Sequence, residues 1–212
     1  MGALLKVTNF KLAIGIPLSF PMVHSEFFES YCMMEKGEHV LIRSKGGSID
    51  VLRNGIVKLA QSAGCSHLLM FDTDMIYEVD TVKKLLDCDK DIVGALCFKR
   101  SPPFNPFMIK DGKGIEEWED GSLVEVDRTG TGCLMIKMQV FDDIPSPYFQ
   151  TLIDNDGMVT LGEDYNFCDK AREAGYEIYV NTNVQAEHLS EMRINKDFYR
   201  YWKGAREYMK SK

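Results

Sequence analysis

The segment Leu68-Leu-Met-Phe-Asp72-Thr73-Asp74 determines how the rest of the sequence is interpreted. Its four apolar residues form a short continuous run, which is typical of a strand buried on both faces of a parallel sheet. Two carboxylates follow directly and lie two residues apart, so an extended chain directs both to the same side. Open α/β folds bind ligands at the carboxyl ends of their parallel strands. The segment therefore predicts an α/β fold with a polar ligand site after this strand.

The segments on either side alternate short apolar runs with helical periods, which indicates a mostly parallel sheet covered by helices on both faces. The predicted strands are 12–16, 40–42, 67–71, 91–96, 131–137 and 176–180. The predicted helices are 27–34, 49–63, 79–86, 163–174 and 196–210. Residues 97–128 are rich in Pro and Gly and predict an inserted region of loops and a hairpin. An aromatic stripe on the last helix indicates core packing or partner docking.

The composition is that of an ordinary globular chain. It has 212 residues, 45% hydrophobic and 27% charged, which predicts one domain with a sizeable core. A formal net charge of −7 disfavours nucleic acid as the main partner. Six cysteines without a C-x-x-C pair indicate neither a zinc knuckle nor a redox dithiol. There is no apolar run long enough to predict a membrane span, and Pro17 and Pro21 fit poorly in a secretory signal, so we expect a cytoplasmic protein.

Asp72 and Asp74 are candidate metal ligands. Carboxylate oxygens suit Mg²⁺ or Mn²⁺, and either ion can bridge a diphosphate. Asp is also common in turns and helix caps after strands, so a D-x-D pair by itself is weak support; its position after two strand–helix units favours the metal. His188, in Gln185-Ala-Glu-His188, would add an imidazole and shift the choice towards Mn²⁺, although a single His is more often a surface or core residue.

Glu163 and Asp164 fall in the first turn of a predicted helix, after Gly162. The helix dipole favours an ionised carboxylate at this position. Such a carboxylate can accept the proton of an attacking hydroxyl group, which makes the pair a candidate general base. Simple helix capping is the alternative interpretation.

Taken in order, these features resemble a glycosyltransferase of the GT-A fold, closest in pattern to the family 2 enzymes and their small phage or bacterial relatives. The resemblance covers about 12–189, and the matching segments are Ile14-Gly-Ile-Pro17, Leu52-Arg53-Asn54, Phe71-Asp-Thr-Asp74, Thr129-Gly-Thr-Gly132, Gly162-Glu-Asp164 and Glu187-His188. It implies a Rossmann-like three-layer sandwich forming one domain over 1–212. Within that domain we expect a nucleotide-binding half at about 12–96, an acceptor and catalytic half at about 97–195, and a helix at 196–210.

The resemblance also implies roles for individual residues. Asp164 would be the general base, with Glu163 beside it. The metal, Mn²⁺ or Mg²⁺, would be held by Asp72, Asp74 and His188. The nucleotide would be bound by Pro17, Leu18, Arg53, Asp72 and Thr73.

Two further groups have weaker support. Lys99 and Arg100 would add positive charge near the departing diphosphate, or they form a solvated loop pair. Gly130, Thr131 and Gly132 would approach the donor sugar or the acceptor, although glycines in a turn explain the segment equally well. One departure from the family pattern is the second strand, Leu41-Ile-Arg43-Ser44-Lys45, which lacks the acidic residue that often holds the base; Asp50 comes later. The base therefore stays open between uridine, guanosine and others.

The implied function is metal-dependent transfer of a sugar from a UDP- or GDP-sugar to an acceptor hydroxyl that the sequence does not identify. The match at Asp164 favours inversion. One alternative is a haloacid dehalogenase-type phosphohydrolase with Asp72 as nucleophile, Asp74 as acid, and Asp142-Asp143 or Asp164 and Asp169 as late metal carboxylates. A nucleotidyltransferase that uses the same metal site is another. A non-enzymatic sugar-nucleotide binding module is disfavoured, because the acidic and histidine features occur together.

Overall fold

A computed structural model describes residues 10–192 and 194–210. The parts of the predicted 1–212 domain at 1–9, 193 and 211–212 lie outside the described residues. The strands are β1 (Leu12–Leu18), β2 (His39–Lys45), β3 (His67–Phe71), β4 (Met75–Tyr77), β5 (Ile92–Cys97), β6 (Ile109–Lys110), β7 (Lys113–Gly114), β8 (Leu123–Val126), β9 (Cys133–Lys137), β10 (Leu152–Ile153), β11 (Val159–Leu161) and β12 (Ile178–His188). The helices are α1 (Ser25–Met33), α2 (Ile49–Ser62), α3 (Thr81–Leu86), α4 (Val140–Asp143), α5 (Glu163–Glu173) and α6 (Lys196–Lys210).

The central sheet has eight strands in the order β2-β1-β3-β9-β5-β12-β4, with β8 also paired to β12. Strands β1, β2, β3, β5 and β12 run in one direction, and β4, β8 and β9 run in the other. The predicted mixed, mostly parallel sheet with flanking helices is confirmed. Strand β9 lies between β3 and β5 and is antiparallel to both, a direction that the apolar pattern at 131–137 did not indicate.

Alternating side chains of the strands supply two separate cores, one on each face of the sheet. In β3, Leu68 and Met70 belong to the core that includes residues of α2, α4 and α5. Leu69 and Phe71 belong to the other core, together with residues of α1 and α3. Since neighbouring strand residues point to opposite faces, a fully apolar strand such as β3 requires helices on both sides. The molecule therefore has three layers, as expected.

Helix α2 packs unusually close to β1 at Gly15. A Cβ atom on Gly15 would collide with Cγ2 of Ile56 and lie 3.2 Å from Cδ1 of Leu68. Glycine at this position therefore allows the helix to sit directly on the strand. The contact fixes the position of α2, the helix that carries Arg53.

Two predictions about elements are corrected. The strand predicted at 176–180 is Ile178–His188, so His188 is the last residue of β12 and does not lie beyond the strand. The β6–β7 hairpin confirms the inserted hairpin region, whereas the hairpin formed by β10 and β11 was not predicted. The prediction that the aromatic stripe packs in the core is wrong, because none of the described side chains of α6 is buried.

Within residues 10–192 and 194–210, no helix is both long and apolar enough to cross a membrane.

Candidate active site

A cleft of about 800 Å³ lies at the edge of the sheet where β1, β3, β5 and β12 end. Because β4 and β9 run in the opposite direction, they begin at this same edge. The topology thus gathers residues that are far apart in the chain. The predicted site residues that line the cleft are Pro17, Arg53, Asp72, Thr73, Asp74, Arg100, Gly130, Thr131, Gly132, Glu163, Asp164 and His188.

Two predicted site residues are not among those that line the cleft. Leu18 is half-buried and packs against the core on the α1 side of the sheet. Lys99 has its Nζ atom 5.9 Å from the ring centroid of Phe107, which itself lines the cleft. Roles for Leu18 and Lys99 stay predictions.

Arg53 lines the cleft and links the D-x-D segment to the acidic start of α5. Its side chain is only 5% exposed, and Nη2 donates to both carboxylate oxygens of Asp72, at 2.9 and 3.0 Å. Nη1 donates to Oε1 of Glu163 at the start of α5. Burial alone disfavours the charged guanidinium, but the carboxylates of Asp72 and Glu163 outweigh that effect and raise the pKa of Arg53. Arg53 is therefore a permanent cation that holds the D-x-D segment against α5.

Asp164 lies in the first turn of α5, in a largely desolvated position. Burial and, secondarily, the neighbouring carboxylate of Glu163 raise the pKa of Asp164 to about 6, although Arg53 partly opposes this shift. Its Oδ1 accepts a hydrogen bond from the backbone N–H of Tyr165 at 2.8 Å. That bond is a local turn contact and leaves the other carboxylate oxygen for a further partner. A carboxyl group with a pKa near neutrality is well suited to accept a proton from a substrate.

Asp74 and His188 are neighbours at the open side of the cleft. The pairing of β4 with β12 sets His188 opposite Met75, and the backbone N–H of Leu189 donates to the carbonyl of Asp74 at 2.8 Å. Nδ1 of His188 is hydrogen-bonded to the carbonyl of Phe98. Since a carbonyl can only accept, the neutral ring carries its proton on Nδ1, and the lone pair of Nε2 is available to a ligand.

The carboxylate of Asp74 is paired with Arg100. Nη1 of Arg100 donates to Oδ2 of Asp74 at 2.5 Å, while the Arg100 side chain is 56% exposed. The Asp74 side chain is 26% exposed, but an ion pair with one exposed partner is weakened by water and contributes little free energy. Asp74 can therefore give up Arg100 for another cation.

These residues fit a metal that arrives together with a phosphate ligand. Among the residues that the structure describes, no three His, Cys, Asp or Glu side chains are grouped closely enough to form a complete metal site. Of the three predicted ligands, Asp72 is paired with the buried Arg53 and Asp74 with the exposed Arg100, so Asp74 and His188 are the donors more readily freed, and the metal role of Asp72 stays a prediction. Mg²⁺ is commonly bound by one or two carboxylates, with substrate phosphates and water supplying the other oxygens. The donor set suits such a shared site and not a cage built by the protein alone.

The segment before β9 approaches the D-x-D residues closely. A Cβ atom on Gly132 would lie 2.5 Å from Sδ of Met75 and 3.3 Å from Oδ2 of Asp72. The carbonyl of Gly132 accepts from the backbone N–H of Asp72 at 3.0 Å and lies 2.7 Å from the hydroxyl of Tyr77. Close approach, and not only a turn, therefore requires glycine here. Next to it, the buried hydroxyl of Thr131 has no hydrogen-bond partner among the described residues.

Sequence reasoning missed the segment Ser19–His24, which forms one wall of the cleft. Phe20 and Met22 in this segment are 76% and 80% exposed. The signal was present, because the segment directly follows β1 and the rule about carboxyl ends that identified Asp72 applies equally to it. Further lining residues that were not predicted are Ile49, Met75, Cys97 and Phe107.

Asp50 does not take the place of the missing acidic residue after β2. Its carboxylate accepts from the hydroxyl of Ser48 and from the backbone N–H of Val51 at 2.9 Å, so it serves the start of α2. The residue of this turn that lines the cleft is Ile49.

Comparisons with known proteins agree with this architecture. No protein-family model and no curated protein sequence matches the chain. Among solved structures, A197 from STIV has a TM-score of 0.58 at 15% identity, over 88% of this chain and 97% of that one. GalNAc-T7 with UDP, GalNAc and Mn²⁺ has a TM-score of 0.52 at 11% identity, over 87% of this chain and 44% of the other. TarS from S. aureus in complex with UDP-GlcNAc has a TM-score of 0.54 at 14% identity, over 88% and 60%.

The chain therefore spans less than two thirds of GalNAc-T7 and TarS, and nearly all of A197. At these identities the likeness shows the fold alone, and it confirms the expected architecture.

Proposed function

We propose, from the premise that the chain has the GT-A fold, that it is a glycosyltransferase. It would move a sugar from a UDP- or GDP-linked donor to an acceptor hydroxyl. The observation that carries the proposal is one cleft lined both by the carboxylate–imidazole pair Asp74 and His188 and by the high-pKa carboxyl of Asp164. The structures of GalNAc-T7 with UDP and Mn²⁺ and of TarS with UDP-GlcNAc support this class of ligand.

At the donor end, Asp74 and His188 would hold Mn²⁺ or Mg²⁺. When bound, the metal supplies Lewis-acid stabilisation of the negative charge on the departing diphosphate. Arg100 lies against Asp74, and its guanidinium is mostly exposed. Once released from that carboxylate, it can form paired hydrogen bonds with phosphate oxygens at the same place.

At the acceptor end, Asp164 would take the proton of the attacking hydroxyl. The acceptor oxygen forms a bond to the anomeric carbon while the bond from that carbon to the phosphate oxygen breaks, and the bonding electrons leave with the diphosphate. In-line attack places the new bond on the opposite face of the sugar, which gives inversion. With a pKa of about 6, Asp164 is mostly ionised at pH 7 and can act as a base there.

The contacts of the other acidic residues favour a transferase over a phosphohydrolase. A phosphohydrolase would need Asp72 as a nucleophile, but both of its carboxylate oxygens accept hydrogen bonds from Arg53. Asp169 forms two 2.7 Å hydrogen bonds with Arg128, and Asp143 is bound by the hydroxyl of Tyr176. The carboxylates of Asp143 and Asp169 are therefore engaged outside the cleft, and that of Asp72 is held by Arg53 within it.

Calorimetric titration of UDP and GDP, with and without Mn²⁺, tests the donor site. We expect Mn²⁺ to strengthen binding of one of the nucleotides, and Asp74→Ala to abolish that dependence. If Mn²⁺ changes the affinity for neither UDP nor GDP, the proposal is contradicted. Release of phosphate from a generic phosphomonoester would support the phosphohydrolase instead, and transfer of a nucleotidyl group would support the nucleotidyltransferase.

Asp164→Asn tests the base. Hydrolysis or transfer of the donor sugar should fall about 10²- to 10⁴-fold, while donor binding stays nearly unchanged. Glu173→Gln, at the exposed far end of the same helix, is the matched control and should change neither quantity. Loss of donor binding in Asp164→Asn would assign this carboxyl to the donor site. A panel of nucleotide-sugars screened by thermal shift with Mn²⁺ would identify the donor.

A further inference from the structure

Helix α6 has two chemically distinct sides. Successive residues turn by about 100° around an α-helix, so residues three, four and seven positions apart share a side. The aromatic face consists of Phe198, Tyr201, Trp202, Ala205 and Met209. The basic face, on the opposite side, contains Lys196, Arg200, Lys203 and Lys210 together with Glu207, and Arg206 lies at its edge.

The aromatic face is largely open to solvent in this structure. Tyr201, Trp202 and Met209 are 71%, 49% and 58% exposed. The helix begins with a local cap, because Oδ1 of Asn195 accepts from the backbone N–H groups of Asp197 and Phe198 at 3.1 and 3.0 Å. Its start is thus stabilised within its own sequence, while a contiguous apolar surface faces outward. Such a surface marks an interaction site.

We propose that α6 docks the protein on the surface of an anionic lipid bilayer. The aromatic face would enter the boundary between headgroups and acyl chains, and the basic face would lie among the lipid phosphates. Large apolar and aromatic residues on one side with Lys and Arg on the other are the pattern of helices that lie in this interface. Trp and Tyr suit it because each has an apolar body and a polar atom that can stay hydrated.

Charge complementarity identifies anionic lipid as the occupant. The whole chain has a formal net charge of −7, whereas α6 carries five Lys or Arg against two acidic residues, Asp197 and Glu207. Five cations against two carboxylates give α6 a net charge of +3, although Arg200 and Lys203 are paired with Asp197 and Glu207 within the helix. A second copy of α6 would bring the same positive charge and oppose pairing, whereas anionic headgroups attract it.

The docked helix would also set where the cleft lies. The seven residues 189–195 connect His188 to Lys196, and an extended chain covers at most about 3.5 Å per residue. The start of α6 is thus within about 30 Å of His188. The exposed side chains of Phe20 and Met22 on the cleft wall are further apolar groups at the open side. The docking proposal does not depend on the proposed sugar transfer.

Co-sedimentation of the full chain with vesicles tests the proposal without nucleotide or metal. Vesicles of phosphatidylcholine alone are compared with vesicles that also contain about a third phosphatidylglycerol. We expect partitioning to the anionic vesicles to be at least about tenfold stronger, and to weaken as salt is added. Equal partitioning to both vesicles, or none to the anionic ones, would overturn the proposal.

Paired substitutions on the two sides of α6 locate the contact. Trp202→Ser should weaken partitioning about tenfold, and Lys203→Gln about fivefold on anionic vesicles alone. Tyr199→Ser is the matched control, because Tyr199 is 59% exposed but lies on the basic side. It should stay within about twofold of the unmodified chain. Trp202→Phe should retain partitioning.

Two results would reject the membrane as occupant. One is an equal loss in Tyr199→Ser and Trp202→Ser, which would mean that the aromatic face is not the contact. The other is a concentration-dependent dimer in sedimentation velocity that Trp202→Ser abolishes while vesicle partitioning is unaffected, which would assign the face to a second copy. Thermal melts of each variant check that the substitutions leave the fold intact.

Discussion

The cleft contains two arginine–aspartate ion pairs, and their arginines differ in exposure to solvent. Arg53 contacts Asp72 at 2.9 Å, and Arg100 contacts Asp74 at 2.5 Å. The side chain of Arg53 is 5% exposed, whereas that of Arg100 is 56% exposed. The first pair is also tied to Glu163, so that one guanidinium neutralises two carboxylates.

This difference teaches that two aspartates of one motif can be held by arginine partners of unequal strength. Removing one partner of a buried pair leaves an uncompensated charge in a poorly hydrated place, so such a pair resists separation. An exposed pair is weakened by water and salt, so its partners separate at little cost. Asp72 is thereby held in the framework of the cleft, while the proposed metal site would need Asp74 to give up only an exposed arginine.

The largest expected effect comes from breaking the buried pair. Arg53→Met should lower the free energy of unfolding by about 3 kcal/mol, because Asp72 and Glu163 would both lose their counter-charge. Arg53→Lys, which keeps the charge but cannot reach both carboxylates with paired hydrogen bonds, should lose less. Urea unfolding measures both. A similar loss in Arg100→Met would show that exposure does not distinguish the two pairs.

An effect of no greater size and of opposite sign is expected at Asp164. The pKa of this carboxyl is raised to about 6, so the folded state favours its protonated form, and ionisation above pH 6 costs stability. Asp164→Asn removes that cost and should raise the free energy of unfolding by about 3 kcal/mol at pH 8. The gain should shrink as the pH falls through 6 and vanish below about pH 4, where the carboxyl is protonated in both states.

Thermal melts of the unmodified chain and Asp164→Asn across this pH range measure that gain. If the stability difference does not depend on pH, the Asp164 carboxyl is well hydrated in the folded state, contrary to its burial in the structure.

The same ionisation predicts the pH dependence of the proposed reaction. A base must be deprotonated, so the rate of sugar transfer or donor hydrolysis should be constant above about pH 7 and fall about tenfold per pH unit below about 6. Initial rates across pH measure the profile. A rate that stays constant down to pH 5 would separate Asp164 from the base role.

The smallest effect on stability is expected at the exposed pair. Arg100→Gln should change the free energy of unfolding by less than about 1 kcal/mol. Asp74 would then have no arginine partner, so the affinity for Mn²⁺ in the absence of nucleotide should rise a few-fold. The gain corresponds to the free energy that the Arg100–Asp74 ion pair contributes. Calorimetric titration of Mn²⁺ measures the change. An unchanged or weaker affinity would show that Arg100 does not compete with a metal for Asp74.

Much of the site was predictable because it follows a local rule. Asp72 and Asp74 directly follow an apolar strand, so their position at one edge of the sheet could be inferred from the chain nearby, and so could a helix start at Glu163 and Asp164 after Gly162. That α5 begins at the same edge could not, because the strand before it, β11, belongs to a separate two-stranded sheet. The wall at 19–24 follows the same rule, because it comes directly after β1. By contrast, nothing near Arg53 in the sequence indicates that it contacts residues 19 and 110 positions away.

The sequence by itself determined the alternation of strands and helices, the two-sided burial of β3 and the acidic groups at strand and helix ends. These depend on the period of side chains along the chain and on neighbouring residues, which are properties of short segments. Tertiary structure decided the antiparallel direction of β9, the full length of β12 and the exposure of the aromatic face of α6.

It also decided which arginine is buried: the side chains of Asp72 and Asp74 are 24% and 26% exposed, whereas those of Arg53 and Arg100 are 5% and 56% exposed. The reason is that direction, burial and partner choice depend on elements that meet only after folding. The burial of Arg53 and the exposure of Arg100, which make the two ion pairs unequal, exist only in the folded chain.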